Sequence, residues 1–464
     1  MNDKELSINT RRFERFYARI LRKIMPYSTP FTVRCARSEK QVTFEDRLKL
    51  EYNDLHQGDI WGRRWDSGWM HLTGSIPSDW RGRQTAAHLD VGGEGLVFLP
   101  DGTILQGITN GSVFDTEFGR DIVQLSDSCD GGETVELWVE SAANGLFGMF
   151  CDLDPGPDST NRYGQYEARL NQARLVVFDT DMWALSLDVR VLLGLIKSLP
   201  LNSVRRARIV QNAVEAMNAF AKSNDAPRVA REILATELKK PATASTLTVA
   251  AVGHAHIDTA WLWPVKETIR KCARTFATQL DLIDRYPEYV FGASQPQHYQ
   301  FIKERYPQLY EKIKAAVASG RWEVQGCMWV EADCNVTGGE SLVRQILHGK
   351  NFFMDEFGVD VDNLWLPDVF GYSAALPQIL EKSGVRYFLT QKLSWNQINE
   401  FPHHTFIWEG IDSSRVLTHF PPENNYNSQL AVETLNAASE RFREKEYVDE
   451  FASLFGVGDG GGGP

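Results

Sequence analysis

The sequence lacks both a long apolar run and a secretory signal. No segment approaches the roughly 18–20 consecutive apolar residues that a membrane-spanning helix requires. The first residues, MNDKELSINTRRFERFYARILRKIMPY, contain no apolar core of the length found in secretion signals. The stretch from Arg11 to Ile24 is amphipathic, and we interpret it as a packed amino-terminal helix in preference to a membrane-surface helix. We therefore predict a cytoplasmic protein with no membrane partner.

Cysteine is scarce and scattered. The six cysteines among 464 residues are Cys35, Cys129, Cys151, Cys272, Cys327 and Cys334. None belongs to a CxxC pair. Zinc ribbons require such pairs, and small disulfide scaffolds require dense cysteines. Neither class is expected, and reduced thiols are the default prediction.

An excess of positive charge is also missing. The chain has 49 Lys and Arg against 61 Asp and Glu, a formal net charge of −12. Phosphate recognition favours clustered Lys and Arg. Nucleic acid is therefore not an expected partner, whereas a neutral sugar is compatible with this charge.

Three zones of different pattern follow one another along the chain. Residues 1–182 become β-rich after a helical start, and short alternating runs between Gly and Pro predict an antiparallel, sandwich-like domain. Residues 183–245 carry apolar residues at helical spacing and predict a helical connector. Residues 246–464 alternate strand and helix patterns, which predict a parallel sheet or a (β/α) barrel-like catalytic domain. The predicted fold class is therefore multi-domain, α+β followed by α/β.

The third zone contains more specific signals. We predict helical structure from Phe301 to Ser319, and a helix that ends with Gly358 as its C-cap. The chain closes on GVGDGGGGP. A barrel that begins near residue 247 normally needs more residues than remain, so we expect this domain to be incomplete.

Polar side chains follow each predicted strand of the third zone. In parallel α/β folds, functional groups gather at the carboxyl ends of strands. In chain order these side chains are His254, His256 and Asp258; Ser294, Gln295 and His298; Gln325, Trp329, Glu331 and Asp333; Asp368; and Gln391 and Lys392. Their recurrence predicts a functional site at one edge of the sheet.

His256 and Asp258 form the sharpest local motif. Alternate residues of an extended segment project to the same side, and one imidazole with one carboxylate suits zinc or cobalt. A hydrogen-bonded histidine at a strand end is the alternative. His254 is compatible with a third ligand, with a partner that fixes a ligand's tautomer, or with a core histidine.

Asp368 lies in the run WLPDVFGY. An Asp held after a proline at a strand end is poorly explained by core packing. We interpret it as a metal ligand, a nucleophile or both, with an N-cap of the following helix as the alternative. Glu331 and Asp333 are further carboxylates, compatible with binding substrate hydroxyls or with solvated loop positions.

Several segments together resemble glycoside hydrolase family 38, the class II α-mannosidases. They are GHAHIDTAWLWP, CMWVEADCNVTGGESLVRQ, WLPDVFGYSAALPQIL, LTHFPPENNYNS and GDGGGGP. The resemblance runs in order over about residues 247–464 and looks closest to the cytosolic and vacuolar branch. DVGGEGLVFLPDG and LQGIT also resemble the amino-terminal β domain of that branch.

The resemblance implies a retaining exo-α-mannosidase that removes terminal α-linked mannose from free oligosaccharides or glycans. It implies a Zn²⁺ ion, with Co²⁺ as the alternative, that binds the 2- and 3-hydroxyls of the mannose. By motif, His256 and Asp258 would be metal ligands. Asp368 would be the nucleophile and a further ligand, and Trp261 would line the sugar subsite.

The remaining predictions concern substrate and partners. We expect Trp329 and Glu331 to bind substrate, and a mannose-containing oligosaccharide to be the partner. The resemblance leaves room for a homo-oligomer and, in a eukaryote, for delivery to the vacuole. A retaining glycosidase also needs an acid/base carboxyl about 5–5.5 Å from its nucleophile.

Two departures from the family pattern affect the site. Related members place an Asp inside the ProPro-x-x-x-Tyr stretch as the acid/base, but here the stretch reads PPENNY. Glu423 is its nearest carboxyl, and we predict it as the acid/base. The family site is usually completed by a later His, so a fourth metal ligand is not assigned.

Two other functions compete with this interpretation. Metal-dependent sugar deacetylases also use Asp and His at strand ends, but their Asp acts as a base on water. A fragment that binds carbohydrate without catalysis is the second, and its working surface would be the early tryptophans Trp61, Trp65, Trp69 and Trp80.

Overall fold

The computed structural model describes residues 3–109, 119–144, 167–223, 225–243 and 246–464. Cys151 lies outside these ranges. The described residues form a β domain, a group of helices and a region of alternating strands and helices. The last of these carries the predicted site.

The β domain contains two antiparallel sheets and one additional strand pair. Its strands are β1 (Ser28–Pro30), β2 (Thr32–Ser38), β3 (Asn53–Asp54), β4 (Ile60–Arg63), β5 (Ser67–Ser75), β6 (Thr85–Asp90), β7 (Glu94–Phe98), β8 (Ile104–Thr109), β9 (Ile122–Ser126), β10 (Thr134–Ala142), β11 (Glu167–Arg169) and β12 (Gln172–Val177). One sheet has the order β1-β12-β6-β9 and the other the order β3-β2-β5-β10-β7-β8, while β11 pairs with β4.

The two sheets share one core, as a sandwich requires. Leu72 and Leu137 come from the larger sheet, and Leu89 and Leu175 come from the smaller one; all four are buried in the same cluster. Alternation along each strand places these side chains on the inner faces. The predicted antiparallel sandwich is confirmed. Three of the early tryptophans, Trp61, Trp69 and Trp80, are buried, which favours core packing for them.

Four helices pack against one another beside the β domain. They are α1 (Asp3–Leu21), α2 (Thr180–Ser198), α3 (Val204–Phe220) and α4 (Ala226–Leu238). Phe13 and Phe16 of α1 are buried in a cluster shared with the other three helices. The prediction of a packed amino-terminal helix is therefore confirmed.

The region that follows alternates strands with helices. Its elements are β13 (Thr248–His254), α5 (Val265–Arg285), β14 (Phe291–Ala293), α6 (Pro296–Arg305), α7 (Pro307–Ala318), β15 (Trp322–Val324), α8 (Gly339–Phe357), β16 (Asn363–Trp365), α9 (Leu376–Lys382), β17 (Tyr387–Leu389), β18 (Thr405–Glu409), β19 (Arg415–His419), α10 (Val432–Arg441) and β20 (Glu450–Phe455). One sheet has the order β15-β14-β13-β20 with every pair parallel. The second has the order β16-β17-β19-β18, in which only β18 runs antiparallel.

Backbone hydrogen bonds link the two sheets at both margins. Cys327 N donates to Asn363 O at 3.0 Å, which ties the end of β15 to β16. Ser428 N donates to Leu454 O at 2.8 Å, which ties the segment after β19 to β20. Parallel strands with helical crossovers are confirmed, and a closed barrel stays a prediction.

Two local predictions concern the end of α8 at Gly358 and the helical segment from Phe301 to Ser319. Gly358 adopts a left-handed conformation, with φ of 70°, directly after α8, as predicted for a C-cap. The helical segment predicted from Phe301 to Ser319 is also found, but as two helices, because α6 ends at Arg305 and α7 runs from Pro307 to Ala318. Proline lacks the N–H that a continuous helix needs and disfavours helical geometry at the residue before it.

The helix α5 connects the β domain to the strand–helix region through buried charges. Lys271 and Arg274 of α5 pair with Glu94 of β7 at 2.9 and 3.1 Å. Arg270 pairs with Glu140 of β10 at 3.0 Å. All of these side chains are at most 6% exposed. Removing one partner would leave a buried charge uncompensated, so the two domains are held in one arrangement.

Two further findings concern the cysteines and the hydrophobicity of the helices. The five cysteines in the described ranges are free and buried. Among the helices that the structure describes, none combines the length and apolar character needed to cross a membrane.

Candidate active site

Side chains from six strand ends converge on one place. The carboxyl ends of neighbouring parallel strands meet at the same edge, where ligands bind in such folds. The side chains are His256 and Asp258 after β13, Glu331 after β15, Asp368 after β16, Lys392 after β17, Tyr426 after β19 and Asp459 after β20.

These side chains line a cavity of about 1130 Å³. Its remaining lining residues are Ala260, Trp261, Asp333, Val369, Phe370, Leu393, Trp395, Asn396, Asn425, Asn427, Gln429 and Val457. Three aromatic rings among them, those of Trp261, Phe370 and Trp395, are 48%, 70% and 62% exposed. Exposed ring faces beside carboxylates suit a ligand with both apolar and hydroxyl surfaces, such as a sugar.

His256, Asp258 and Asp368 form a compact ligand set. One ligand atom from each lies within 4.8 Å of the others. His256 Nε2 is 3.3 Å from Asp258 Oδ1 and 3.6 Å from Asp368 Oδ2. Yet both ring nitrogens of His256 are buried, and neither makes a hydrogen bond of acceptable geometry to the described residues. A buried, unsatisfied ring nitrogen between two carboxylates fits a cation of the zinc or cobalt type.

Glu331 holds the other side of the His256 ring. Its Oε2 lies 3.0 Å from His256 Nδ1. A carboxylate in this position beside a metal-binding histidine is the kind of partner that orients the ring. Burial raises the pKa of Glu331. Burial alone would lower the pKa of His256, but the facing Glu331 and Asp258 raise it well above its ordinary value. A bound cation would take the place of that proton, since imidazole ligates metals in its neutral form.

Asp368 also pairs with a lysine. Lys392 Nζ donates to Asp368 Oδ1, while Oδ2 faces His256. The ammonium group stands 3.5 Å from the centre of the Trp395 ring, a cation–π contact.

The alternative that Asp368 caps the next helix is wrong, because α9 begins at Leu376 and its N-cap is Ala375.

Asp459 reaches the same site from the Gly-rich end of the chain. Its Oδ1 accepts from Asp258 N at 3.0 Å, and its own N–H donates to His256 O at 2.6 Å. Its φ is 54°, which is uncommon for a residue with a side chain. Burial, together with the Asp258 charge, raises the pKa of Asp459 to about 7. A carboxyl of this kind suits proton transfer at neutral pH.

His254 is a structural histidine and not a third ligand. Its ring is 2% exposed and Nε2 lies 2.5 Å from Tyr426 O. Because a carbonyl only accepts, Nε2 carries the proton of this hydrogen bond. Burial lowers the pKa of His254 to about 4. The bond fixes the backbone of Tyr426, whose ring stands 5.2 Å from that of His256.

Two of the sequence-predicted site residues do not line the cavity. Trp329 donates its Nε1 hydrogen to Gln297 Oε1 at 3.0 Å. Glu423 accepts at Oε1 from Ser428 Oγ at 2.8 Å and at Oε2 from Ser453 Oγ. Its carboxylate is therefore engaged away from the ligand set.

Three residues that line the cavity were not predicted as site residues from the sequence. Lys392 was recognised as a strand-end residue, but nothing local indicated its contact with Asp368. Tyr426 belongs to the PPENNY stretch and was not considered as a lining residue. For Asp459 the sequence does contain an indication. This residue is the only carboxylate of GDGGGGP, and a run of glycines is typical of a place where the backbone approaches another part of the molecule closely.

Comparisons with known proteins match this two-domain arrangement. Residues 246–464 match the family model described as the N-terminal domain of the glycosyl hydrolases family 38. Residues 29–176 match the model described as the jelly roll domain of alpha-mannosidase. The second match agrees with the β sandwich.

Curated relatives extend the similarity over most of the chain. Alpha-mannosidase 2C1 from Homo sapiens is 40% identical over 92% of this chain and 40% of its own length. Alpha-mannosidase G from Dictyostelium discoideum is 39% identical over 91% of this chain and 38% of its own. The chain thus spans about two fifths of the length of these relatives.

A solved alpha-mannosidase from Enterococcus faecalis V583 is similar to 46% of this chain and 25% of its own chain, at 21% identity and a TM-score of 0.40. The family assignment depends on the two domain models and on relatives that match nine tenths of this chain. The chain belongs to glycosyl hydrolase family 38.

Proposed function

We propose that this chain carries the active site of a retaining exo-α-mannosidase acting on terminal α-linked mannose of free oligosaccharides or glycans. The observation that carries the proposal is the ligand set of His256, Asp258 and Asp368 in a cavity with exposed aromatic rings. The curated relatives support it, since their names are those of alpha-mannosidases. We keep a cytoplasmic location as part of the proposal.

The ligand set would hold Zn²⁺ or Co²⁺. His256 Nε2 and one oxygen each of Asp258 and Asp368 would be the ligands, and Glu331 would orient the imidazole. When bound, the cation would supply Lewis-acid attraction for the vicinal hydroxyls of a mannose ring. Trp261 lines the same cavity and would cover the apolar face of that ring.

Asp368 would act as the nucleophile. In a retaining mechanism its oxygen bonds to C1 of the mannose while the glycosidic C1–O bond breaks, and water later releases the sugar. Lys392 holds Asp368 Oδ1. This contact would fix the carboxylate's orientation and offset part of its charge.

Asp459 is the acid/base that the geometry supports best. It lines the cavity next to the ligand set, whereas the predicted Glu423 is engaged by two serines. Asp459 would give its proton to the departing oxygen and take one from water in the second step.

Two substitutions distinguish the two candidates for the acid/base. Asp459→Asn should slow hydrolysis of an unactivated α-mannoside by about 10²-fold or more, because a general acid contributes roughly 10²–10⁴. The same variant should keep most of its kcat/KM on a dinitrophenyl α-mannoside, because that quantity reports the first step and this leaving group needs no proton. Glu423→Gln should leave the ratio of the two rates unchanged. The reverse pattern would assign the role to Glu423.

The test of the function is hydrolysis of an aryl α-mannoside by the purified chain, first after chelation and then after adding zinc or cobalt. Turnover that returns with the metal supports the proposal. A chain that binds the added metal, measured by calorimetry, and yet releases no aryl alcohol would contradict it.

A further inference from the structure

The Gly-rich segment, residues 458–463, carries Asp459 into the site. A pair of backbone hydrogen bonds between Val457 and Gly463, at 3.1 and 2.9 Å, closes it into a tight loop. Inside the loop, Gly461 N donates to Gly458 O at 2.9 Å. Five of its six residues lack a side chain, so contacts from elsewhere must fix its position.

Two side chains of the β domain supply such contacts. Glu94 accepts from Lys271 Nζ at both carboxylate oxygens, at 3.0 and 2.9 Å, and the same Nζ donates to Asp459 O at 3.0 Å. The side chains of Glu94 and Lys271 are fully buried. Arg120 Nη2 donates to Gly463 O at 3.2 Å. The β domain therefore supports the loop at two places, at Asp459 through Lys271 of α5 and at Gly463 directly.

The glycines of the loop are complementary to these side chains. A Cβ on Gly460 would lie 2.8 Å from Lys271 Nζ and closer still to Glu94 Oε1. A Cβ on Gly462 would lie 2.8 Å from Arg120 Nε. Real Cβ atoms do not approach other atoms this closely. The absence of side chains here is thus explained by the presence of Glu94, Lys271 and Arg120.

Asp459 itself needs such support. Its left-handed backbone, with φ of 54°, costs free energy and persists only where the surroundings impose it. The hydrogen bond from Lys271 to Asp459 O fixes the peptide that follows this residue. Glu94 in turn holds the ammonium group in place, because a buried Lys without a carboxylate partner is strongly disfavoured.

We propose that Glu94 and Arg120 of the β domain are positioning residues for the reaction, which hold the Gly-rich segment so that Asp459 faces the substrate. The proposal rests on the proposed function and on the role given there to Asp459. It makes the β domain a part of the catalytic apparatus, although none of the residues described in that domain lines the cavity.

A second buried pair at the same interface provides the matched control. Glu140 of β10 pairs with Arg270 of α5 at 3.0 Å, with side chains 6% and 2% exposed. It joins the same domain to the same helix as Glu94 does. Among the described residues, the polar partners of Glu140 are Gln41, Tyr306 and Arg270, and none of these belongs to the Gly-rich segment. Glu94→Gln and Glu140→Gln therefore both remove one buried carboxylate, and only the first disturbs the loop.

Kinetics with two leaving groups provide the first readout. Glu94→Gln and Arg120→Gln should lower kcat for an unactivated α-mannoside by about tenfold or more, since small misplacements of a catalytic group cost that much. The kcat/KM for a dinitrophenyl α-mannoside should stay within about twofold, because it reports the first step and this leaving group needs no proton donor. Glu140→Gln should lower thermal stability to a similar degree as Glu94→Gln and leave the ratio of the two rates unchanged.

Hydrogen exchange provides a readout that does not require turnover. The amides of residues 457–463 should exchange about tenfold faster in Glu94→Gln than in the unmodified chain, with no such change in Glu140→Gln. If the unmodified chain hydrolyses no mannoside, the proposed function fails, while exchange still tests the support of the loop. Equal exchange and equal rate ratios in the Glu94 and Glu140 variants would overturn the proposal.

Discussion

At the scale of single residues, His256 decides what the site can hold. Its ring nitrogens face Glu331 on one side and two aspartates on the other, so carboxylates of the described residues stand on both sides of the ring. This arrangement is costly without a positive charge in the middle. A divalent cation meets that requirement at an otherwise unsatisfied nitrogen.

Glu331 should therefore control metal affinity without touching the metal. Glu331→Gln removes the charge that orients and polarises His256 and should weaken Zn²⁺ binding about 10–100-fold. Calorimetric titration of the metal-free chain measures this. Asp333→Asn is the matched control, because Asp333 lines the same cavity but accepts hydrogen bonds from the backbone of residues 335 and 336. Equal affinities in the two variants would contradict the role given to Glu331.

His419 should make the fold sensitive to acid. Its Nε2 accepts from Ala452 N at 3.1 Å and Nδ1 lies 2.9 Å from Thr405 Oγ1, so the ring is neutral. Burial lowers the pKa of His419 to about 4. The unfolded chain, with a pKa of about 6.5, binds the proton more tightly. The stability from the neutral ring is present above about pH 6.5 and is lost as the pH falls towards 4.

Urea unfolding at two pH values tests this. Between pH 7.5 and pH 5 the parent chain should lose about 2 kcal/mol more of its free energy of unfolding than His419→Gln, which cannot be protonated. Identical losses would mean that His419 does not couple folding to protonation.

At the scale of elements, the strand β20 brings the Gly-rich end of the chain beside β13. The two strands pair in parallel over six residues of each, from Thr248 with Glu450 to Gly253 with Phe455. That register places Asp459 next to His256 and Asp258. The loop then fits between β13 and the side chains that project from α5 and from the β domain.

Because the loop is tightly packed, substitution of its Gly460 should lower the free energy of unfolding more than substitution of Gly58. Gly460 and Gly58 both have positive φ, 102° and 94°, but only Gly460 has side chains in the place of its Cβ. Gly58→Ala should cost about 1 kcal/mol from backbone strain alone. Gly460→Ala should cost about 1–3 kcal/mol more because of overpacking. Chemical denaturation measures both, and equal costs would show that the loop is not tightly held.

At the scale of the whole molecule, the β domain and the strand–helix region share buried ion pairs along α5. If either region unfolded alone, the charges of the other region would lose their partners. The two should therefore unfold in one transition. Circular dichroism at 222 nm and tryptophan fluorescence should give coincident melting curves, whereas two separated midpoints would show independent domains.

Local patterns predicted the parts of the molecule that local physics decides. The alternation of apolar and polar residues predicted the sandwich, and the spacing of apolar residues predicted the packed helix α1. The polar residues at the ends of predicted strands indicated His256, Asp258 and Asp368. Contacts between distant segments could not be predicted in this way. The pairing of Lys271 with Glu94 spans 177 positions, and the engagement of Glu423 by Ser453 depends on where β20 lies. The break at Pro307 was accessible from the sequence and was missed.

If Asp368 is the nucleophile, its carboxylate forms a covalent bond to C1 of the mannose. A fluorinated mannosyl fluoride slows release of the covalent intermediate, so peptide mass spectrometry of the zinc-loaded chain can locate it. We expect one added fluoromannosyl mass on the peptide that contains Asp368. The corresponding peptide of the Asp368→Asn variant should carry no added mass. A chain that hydrolyses mannosides without any adduct, or one labelled at a different carboxylate, would contradict the assignment of the nucleophile.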